Sequence, residues 1–337
     1  MQNWKEVESL FEAKKEVVIL SHRSPDGDSI GSSLGVAEFL EQKSQNVQVI
    51  TPDPAPTFLN WLKGFDRIIN FEKHTEEVKE KIKNAEVIVC LDFNTLSRIG
   101  SEFEAVVRNN KEAYFINIDH HQNPEDFANF QLSDTTASST AQLVFDFIDQ
   151  LGGKSLVNKS LAECLYTGIL TDTGSFRFSS TSAKTHETVA ELMKAGVQPS
   201  EIHQRIYDSY SVDRLKLIGF ALNERLNIYK KYNTGIIYLS EKDLNQFHFQ
   251  KGDTEGLVNY PLSVGTIKMS ILITEKDGKV KMSFRSKGDF HVNELAKKYF
   301  NGGGHFNAAG GISDVSVLET VKKIEGLFEE YEEQLLA

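Results

Sequence analysis

The chain has 337 residues, more than one ordinary domain needs, and its 40% hydrophobic and 25% charged residues give material for two globular cores. A net charge of −11 excludes the broad basic footprint that long duplex DNA requires, and no apolar run is long enough to span a bilayer. The two cysteines lack zinc-type spacing and suggest no disulfide framework, and the start, Met-Gln-Asn-Trp-Lys-Glu, lacks a secretory pattern, so a cytoplasmic protein is expected.

In chain order, residues 17–20, 47–51, 87–91 and 114–118 are short apolar runs of the kind that form buried strands. Helical periodicity separates the first two, over residues 29–42, and returns over 138–151, 155–170 and 182–195. This alternation predicts an α/β first domain, with a mostly parallel, doubly wound sheet, over residues 1–196. Pro199-Ser200-Glu201 reads as a helix start, so the linker over 197–214 is expected to be partly helical. Residues 235–239, 263–273 and 280–285 then alternate as an antiparallel sheet, with a hairpin turn at Asp277-Gly278. Helices are expected over 293–300 and 317–335, which makes 215–337 a smaller α+β domain.

The first-domain strands end in metal-ligand chemistry. The first is followed by His22, Asp26 and Asp28, the third by Asp92, and the fourth by Asp119-His120-His121. In an open parallel sheet the functional crevice lies at the carboxyl ends of the strands, so these groups are brought to one edge. Thr171-Asp172-Thr173-Gly174 adds a fourth contribution at a helix end. A lone Asp after a strand is most often a turn residue or cap, and a lone His is most often an ordinary hydrogen-bonded one. Four converging carboxylates are another matter. At ~6 Å and an effective dielectric of about 20, each pair repels by roughly 3 kcal/mol, so the set opposes folding by on the order of 15 kcal/mol unless some protonate. Two divalent cations remove the conflict. Imidazole and carboxylate donors without thiolate suit Mn²⁺ first, with Mg²⁺ or Co²⁺ as alternatives, better than a structural zinc.

His22-x3-Asp26-x-Asp28, Asp92, Asp119-His120-His121 and Asp172 resemble the four motifs of the DHH phosphoesterase superfamily. Phe284-Arg285-Ser286 and Asn301-Gly302-Gly303-Gly304-His305-x2-Ala308-Ala309-Gly310 resemble its DHHA1 domain. Within the superfamily the chain is similar to the short nanoRNase group, which also dephosphorylates 3′-phosphoadenosine 5′-phosphate (pAp). It is too short for the RecJ exonucleases and lacks the membrane and sensory segments of large cyclic-dinucleotide phosphodiesterases. Its Gly-Gly-Gly-His run does not fit the family II pyrophosphatases.

The resemblance implies one ion held by His22, Asp26 and Asp92 and a second held by Asp28, Asp92, His120 and Asp172, with Asp92 bridging. It also implies that Asp119 orients His120. Two ions at that spacing can share a water, lower its pKa and aim it at phosphorus. His121 is the expected group to contact the scissile phosphate or protonate the leaving oxygen, against the plainer reading of a supporting hydrogen bond. In the second domain Gly302, Gly303 and Gly304 are expected to let the backbone cradle an anion, with Arg285, Ser286 and His305 beside them. Arg98 either reaches the substrate phosphate or is a surface arginine. The expected substrates are short RNA oligonucleotides and pAp, bound in a cleft between the domains; dinucleotides such as pApA, pGpG or cyclic di-AMP are the alternative, and a non-catalytic nucleotide sensor a remote one. No aromatic platform for a long single strand is evident, since phenylalanines such as Phe145 and Phe176 fall in core patterns. No membrane partner is expected, and a homodimer through a sheet edge is one expectation for its assembly.

Overall fold

The computed structural model describes residues 3–208, 210–250 and 252–336. The chain divides into two compact units, Met1–Ser209 and Tyr210–Ala337.

The first unit runs α1 (Trp4–Leu10), β1 (Glu16–Leu20), α2 (Gly27–Gln42), β2 (Asn46–Thr51), β3 (Ile69–Asn70), α3 (Thr75–Asn84), β4 (Val87–Leu91), α4 (Ser101–Asn109), β5 (Tyr114–Asp119), β6 (Phe130–Ser133), α5 (Thr140–Gln150), α6 (Lys159–Asp172), α7 (Ala183–Lys194) and α8 (Pro199–Tyr207). The strands form one sheet in the order β3-β2-β1-β4-β5-β6, every neighbouring pair parallel. Alternate residues of β1 feed opposite cores. Val17 and Ile19 pack under α2, α5 and α6, while Val18 and Leu20 pack under α3 and α4. Helices on both faces explain why the strands are apolar at nearly every position. The order reverses direction between β1 and β4, and a doubly wound sheet opens its crevice at that switch.

The second unit runs α9 (Val212–Glu224), β7 (Leu226–Tyr229), β8 (Thr234–Leu239), α10 (Glu241–Gln246), β9 (Met269–Lys276), β10 (Lys279–Ser286), α11 (Val292–Tyr299), β11 (Gly303–His305), β12 (Ala308–Ser313), α12 (Val317–Glu325) and α13 (Glu332–Leu336). Its sheet order is β11-β12-β10-β9-β8-β7. The expected antiparallel sheet is corrected to a mixed one, because β8 and β9 pair in parallel. A parallel pair needs a long crossover, and the segment from Ser240 to Lys268 supplies it. That crossover takes residues 263–268 out of the strand expected there. The single helix expected over 317–335 is two, because the first turn sequence ends at Gly326, a poor helix former. No helix among the described residues is long and apolar enough to cross a membrane.

Candidate metal centre

The carboxyl ends of β1, β4 and β5 deliver the polar groups of the switch-point crevice. His22, two residues past β1, sets Nδ1 against the Arg23 carbonyl at 2.9 Å. That fixes the ring so that Nε2 lies 3.3 Å from Asp92 Oδ2 and 3.9 Å from Asp26 Oδ2. Asp26 caps α2: its Oδ1 accepts from the amides of Asp28 and Ser29, both at 3.0 Å, and Oδ2 faces His22. Asp92 follows β4 with φ at 66°, a left-handed conformation that Asp and Asn adopt more readily than other side chains. Its Oδ1 turns the other way, 3.7 Å from His120 Nε2, which also lies 3.5 Å from Asp172 Oδ2 and 4.0 Å from Asp28 Oδ2. His22/Asp26/Asp92 and Asp28/Asp92/His120 are two donor groups that share Asp92, which also joins Asp119 and His121 in a further one.

Close helix packing holds the second group together. A Cβ on Gly31 of α2 would stand 2.4 Å from the Cys164 carbonyl of α6, and one on Gly168 of α6 would stand 2.8 Å from Asp28 Oδ1. Only glycine at these two places lets the helices approach so far. Asp28 near the start of α2 and Asp172 at the end of α6 thereby reach the same crevice. Asp28 is buried and accepts from the first amides of α5, Thr140 N at 2.7 Å and Ala141 N at 2.9 Å. A helix N-terminus favours an anion there.

Thr140 is a participant that the sequence reading missed. Its hydroxyl donates to Asp92 Oδ1 at 2.9 Å, so one residue steadies carboxylates of both groups. In sequence it is one more polar residue of Ser138-Ser139-Thr140, where Ser139 is an ordinary N-cap. Thr140→Val keeps the shape and removes the donor; metal affinity measured by titration should fall about 10- to 100-fold. An unchanged affinity would show that the hydroxyl serves only packing.

The protonation pattern reveals unrelieved charge. Burial opposes protonation of His22, yet its hydrogen bond to Asp92 and the charges of Asp26 and Asp92 outweigh that and push its pKa up to about 9. Burial raises Asp172 to about 6; the pull of His120 is overcome with help from the Asp92 and Asp26 charges. Burial also drives Asp28 well above the carboxylate range, followed by the charges of Asp92, Asp172 and Asp26. Asp92 is held far below that range: burial resists, but His22, His121 and His120 surround it.

The donor set fits divalent cations. Ligands around one ion at bond lengths of about 2.1 Å stand about 3.0–3.4 Å apart in octahedral or tetrahedral arrangement. The separations of 3.3–4.0 Å found here need little adjustment. Cys90, although it lies in β4, faces the apolar core, so no thiolate enters.

One expectation is corrected. Asp119 does not serve His120 as anticipated; both its oxygens engage His121, Oδ1 with ring Nδ1 at 2.7 Å and Oδ2 with the backbone amide at 3.1 Å. An Asp readily reaches the amide two residues on, and alternation along the strand end puts positions 119 and 121 on one side. His120 instead sets Nδ1 3.3 Å from the Ala137 carbonyl. Burial works against protonated His121, but Asp119 and then Asp92 raise its pKa. Arg98 is exposed on the turn after β4, and its charge acts on both His22 and His121.

In the second unit, β10, β12 and β11 place Arg285 and His305 on either side of Ala308 in one cross-strand row. Ser286 points to the opposite, buried side, as neighbours on a strand must. Its hydroxyl donates to the Phe290 carbonyl and accepts from Asn307 Nδ2. Gly302, Gly303 and Gly304 are not a loose loop. The last two belong to β11, and the Gly302 amide donates to the Ala296 carbonyl at 3.1 Å. A Cβ on Gly302 would lie 2.0 Å from the Gly310 carbonyl, so close strand packing already requires glycine there.

Residues 16–169 match the DHH family, N-terminal domain, and residues 233–335 match the DHHA1 domain. The bifunctional oligoribonuclease and PAP phosphatase NrnA of Bacillus subtilis (strain 168) is 30% identical over 301 residues, 87% of this chain and 88% of that protein. This chain belongs to the DHH family. A second relative, the bifunctional oligoribonuclease and PAP phosphatase NrnA of Thermus thermophilus, is 31% identical over 91% of this chain and 88% of its own length. The cyclic-di-AMP phosphodiesterase GdpP of Bacillus subtilis is 27% identical over 94% of this chain but only 48% of its own length. Among solved structures, an exopolyphosphatase-related protein from Bacteroides fragilis shares 40% identity at a TM-score of 0.94, covering 99% of this chain and 97% of that one.

Proposed function

We propose that this DHH protein is a phosphoesterase that hydrolyses short oligoribonucleotides and removes phosphate from pAp, using two divalent cations, Mn²⁺ first. The observation that carries this reading is Asp92, whose two oxygens face two separate His/Asp groups at the switch point of the sheet. His22, Asp26 and Asp92 would hold one ion, and Asp28, Asp92, His120 and Asp172 the other. When bound, the ions supply Lewis acidity: they neutralise phosphate charge and make water a nucleophile at neutral pH.

The chain's own groups do the rest. Asp119 fixes the ring of His121 and favours its protonated form, so His121 can give a proton to the departing oxygen. Arg98 adds positive charge beside the first group. Arg285 and His305 offer charge-assisted donors to a substrate phosphate or nucleotide. The near relatives that share most of their length with this chain are named for oligoribonuclease and PAP phosphatase activity, which supports these substrates over others. The likeness to GdpP over 94% of this chain supports a second reading, a dinucleotide phosphodiesterase. A cytoplasmic setting agrees with two free, buried cysteines.

The test is a panel of pAp, short RNA oligomers, pApA and cyclic di-AMP with Mn²⁺, followed by product identification. Release of mononucleotides from the oligomers and of AMP from pAp is expected. Turnover of cyclic di-AMP alone would replace the first reading by the second, and no turnover of any member would overturn both.

A further inference from the structure

The aromatic residues separate cleanly into those that fill cores and a few that do not. Phe306 is 44% exposed in the turn between β11 and β12, and it belongs to neither apolar core of its unit. Its ring is stacked on that of His291, with centroids 4.4 Å apart and planes inclined by 20°. The neighbouring Phe290 shows what a core residue does here: it is buried and packs against Tyr331. Phe306 therefore spends a large apolar ring on the surface, where water opposes it.

Closing the turn does not require that ring. The Phe306 carbonyl accepts from the Val292 amide at 2.8 Å, and Asn307 Nδ2 donates to Ser286 Oγ and to the Gly288 carbonyl, both at 2.9 Å. The Asn307 carbonyl accepts in turn from the Ser286 amide at 3.0 Å. Backbone and amide bonds already fix this hairpin, so the pair of rings is a flat two-layer surface held in place by other contacts. It also has a particular neighbour. Phe306 directly follows His305, and His305, Ala308 and Arg285 make the last cross-strand row before the turn. Two phosphate-type donors and a rigid aromatic face thus occupy one end of one sheet.

We propose that Phe306, backed by His291, is a stacking platform for one nucleobase of the substrate, beside the Arg285–His305 donor row. The inference rests on the nucleotide-hydrolase reading above. A nucleotide carries its base one sugar away from its phosphate, which suits a stacking face beside cationic donors. A stacking face reads ring area more than base identity, so purines should bind better than pyrimidines. His291 is a positioning residue: it supports the back of the Phe306 ring and leaves the outer face to the base.

The experiment uses the full chain and two readouts. In the first, Phe306→Trp is titrated with AMP and with ribose 5-phosphate while indole emission is followed. Quenching by AMP and not by ribose 5-phosphate is expected; equal responses, or none to AMP, overturn the platform whatever the enzyme turns over. In the second, the Mn²⁺-loaded enzyme is assayed on pAp and on its abasic 3′,5′-bisphosphate. Phe306→Ala should raise KM for pAp about tenfold with kcat within about twofold, and leave the abasic compound unaffected. His291→Ala should move KM in the same direction by less, and Phe306→Tyr should restore it. Equal losses on both compounds would make Phe306 structural. If the wild-type enzyme hydrolysed neither compound but Phe306→Trp still discriminated AMP, the platform would stand and the hydrolase reading would fall.

Discussion

Asp92→Asn should leave a folded protein with kcat reduced by at least about 10³-fold and with metal binding weakened at both groups. Asparagine keeps the size of the side chain, an oxygen able to accept from Thr140 and the tolerance for φ at 66°. What it loses is the negative charge and the second equivalent oxygen. Those are the features that let one residue face His22 through Oδ2 and His120 through Oδ1. Alanine is a poorer probe, because a left-handed backbone would strain it independently of the chemistry. Asp26→Asn is the control: Asp26 Oδ2 faces His22 in the first group, so titration should show the ion of that group weakened more than the other. Two intact metal sites in Asp92→Asn, or near-normal turnover, would remove the bridging role and with it the two-ion mechanism.

Much of this centre was legible because a parallel sheet converts sequence position into spatial position. His22, Asp92 and Asp119-His120-His121 each follow an apolar run, and strands laid side by side in one direction bring such residues together. Thr140 carried no comparable signal, because its role depends on where α5 points and not on its neighbours in sequence. The partner of Asp119 was misread for a related reason: motif spacing says which residues are near, while side-chain alternation decides which of two adjacent histidines a carboxylate can reach.

The same distinction separates Arg285 from Ser286. Adjacent in sequence, they occupy opposite sides of β10, and only one faces outward. The second sheet was also harder to read than the first. β11 and β12 are built largely from glycine and alanine, residues with little strand preference, and β7 has only 4 residues. The parallel pairing of β8 with β9 follows from the crossover between them, whose short turns carry no periodic pattern. The glycines that let α2 and α6 meet, Gly31 and Gly168, lie inside helices, where sequence alone reads glycine as a mild defect.

Raising the pH should destabilise the metal-free protein and enlarge the stabilisation that metal brings. His22 has a pKa of about 9 in the fold against an ordinary 6.5, so its protonated form is favoured by folding. That contribution is complete below 6.5 and disappears as pH rises through about 9. Asp172, raised from 3.8 to about 6, acts in the same direction at lower pH: its contribution is complete below 3.8 and lost through about 6. Both protons occupy positions that a cation needs. Below each pKa, apparent affinity should therefore rise about tenfold per pH unit for every proton displaced. The midpoint of thermal unfolding, followed from pH 6 to 9 with and without Mg²⁺, should fall in the metal-free series while the gap between the two series widens. His22→Gln removes the upper titration and should flatten the metal-free series between 6.5 and 9. A gap independent of pH would mean that the cation does not displace these protons, and that His22 and Asp172 are not its ligands.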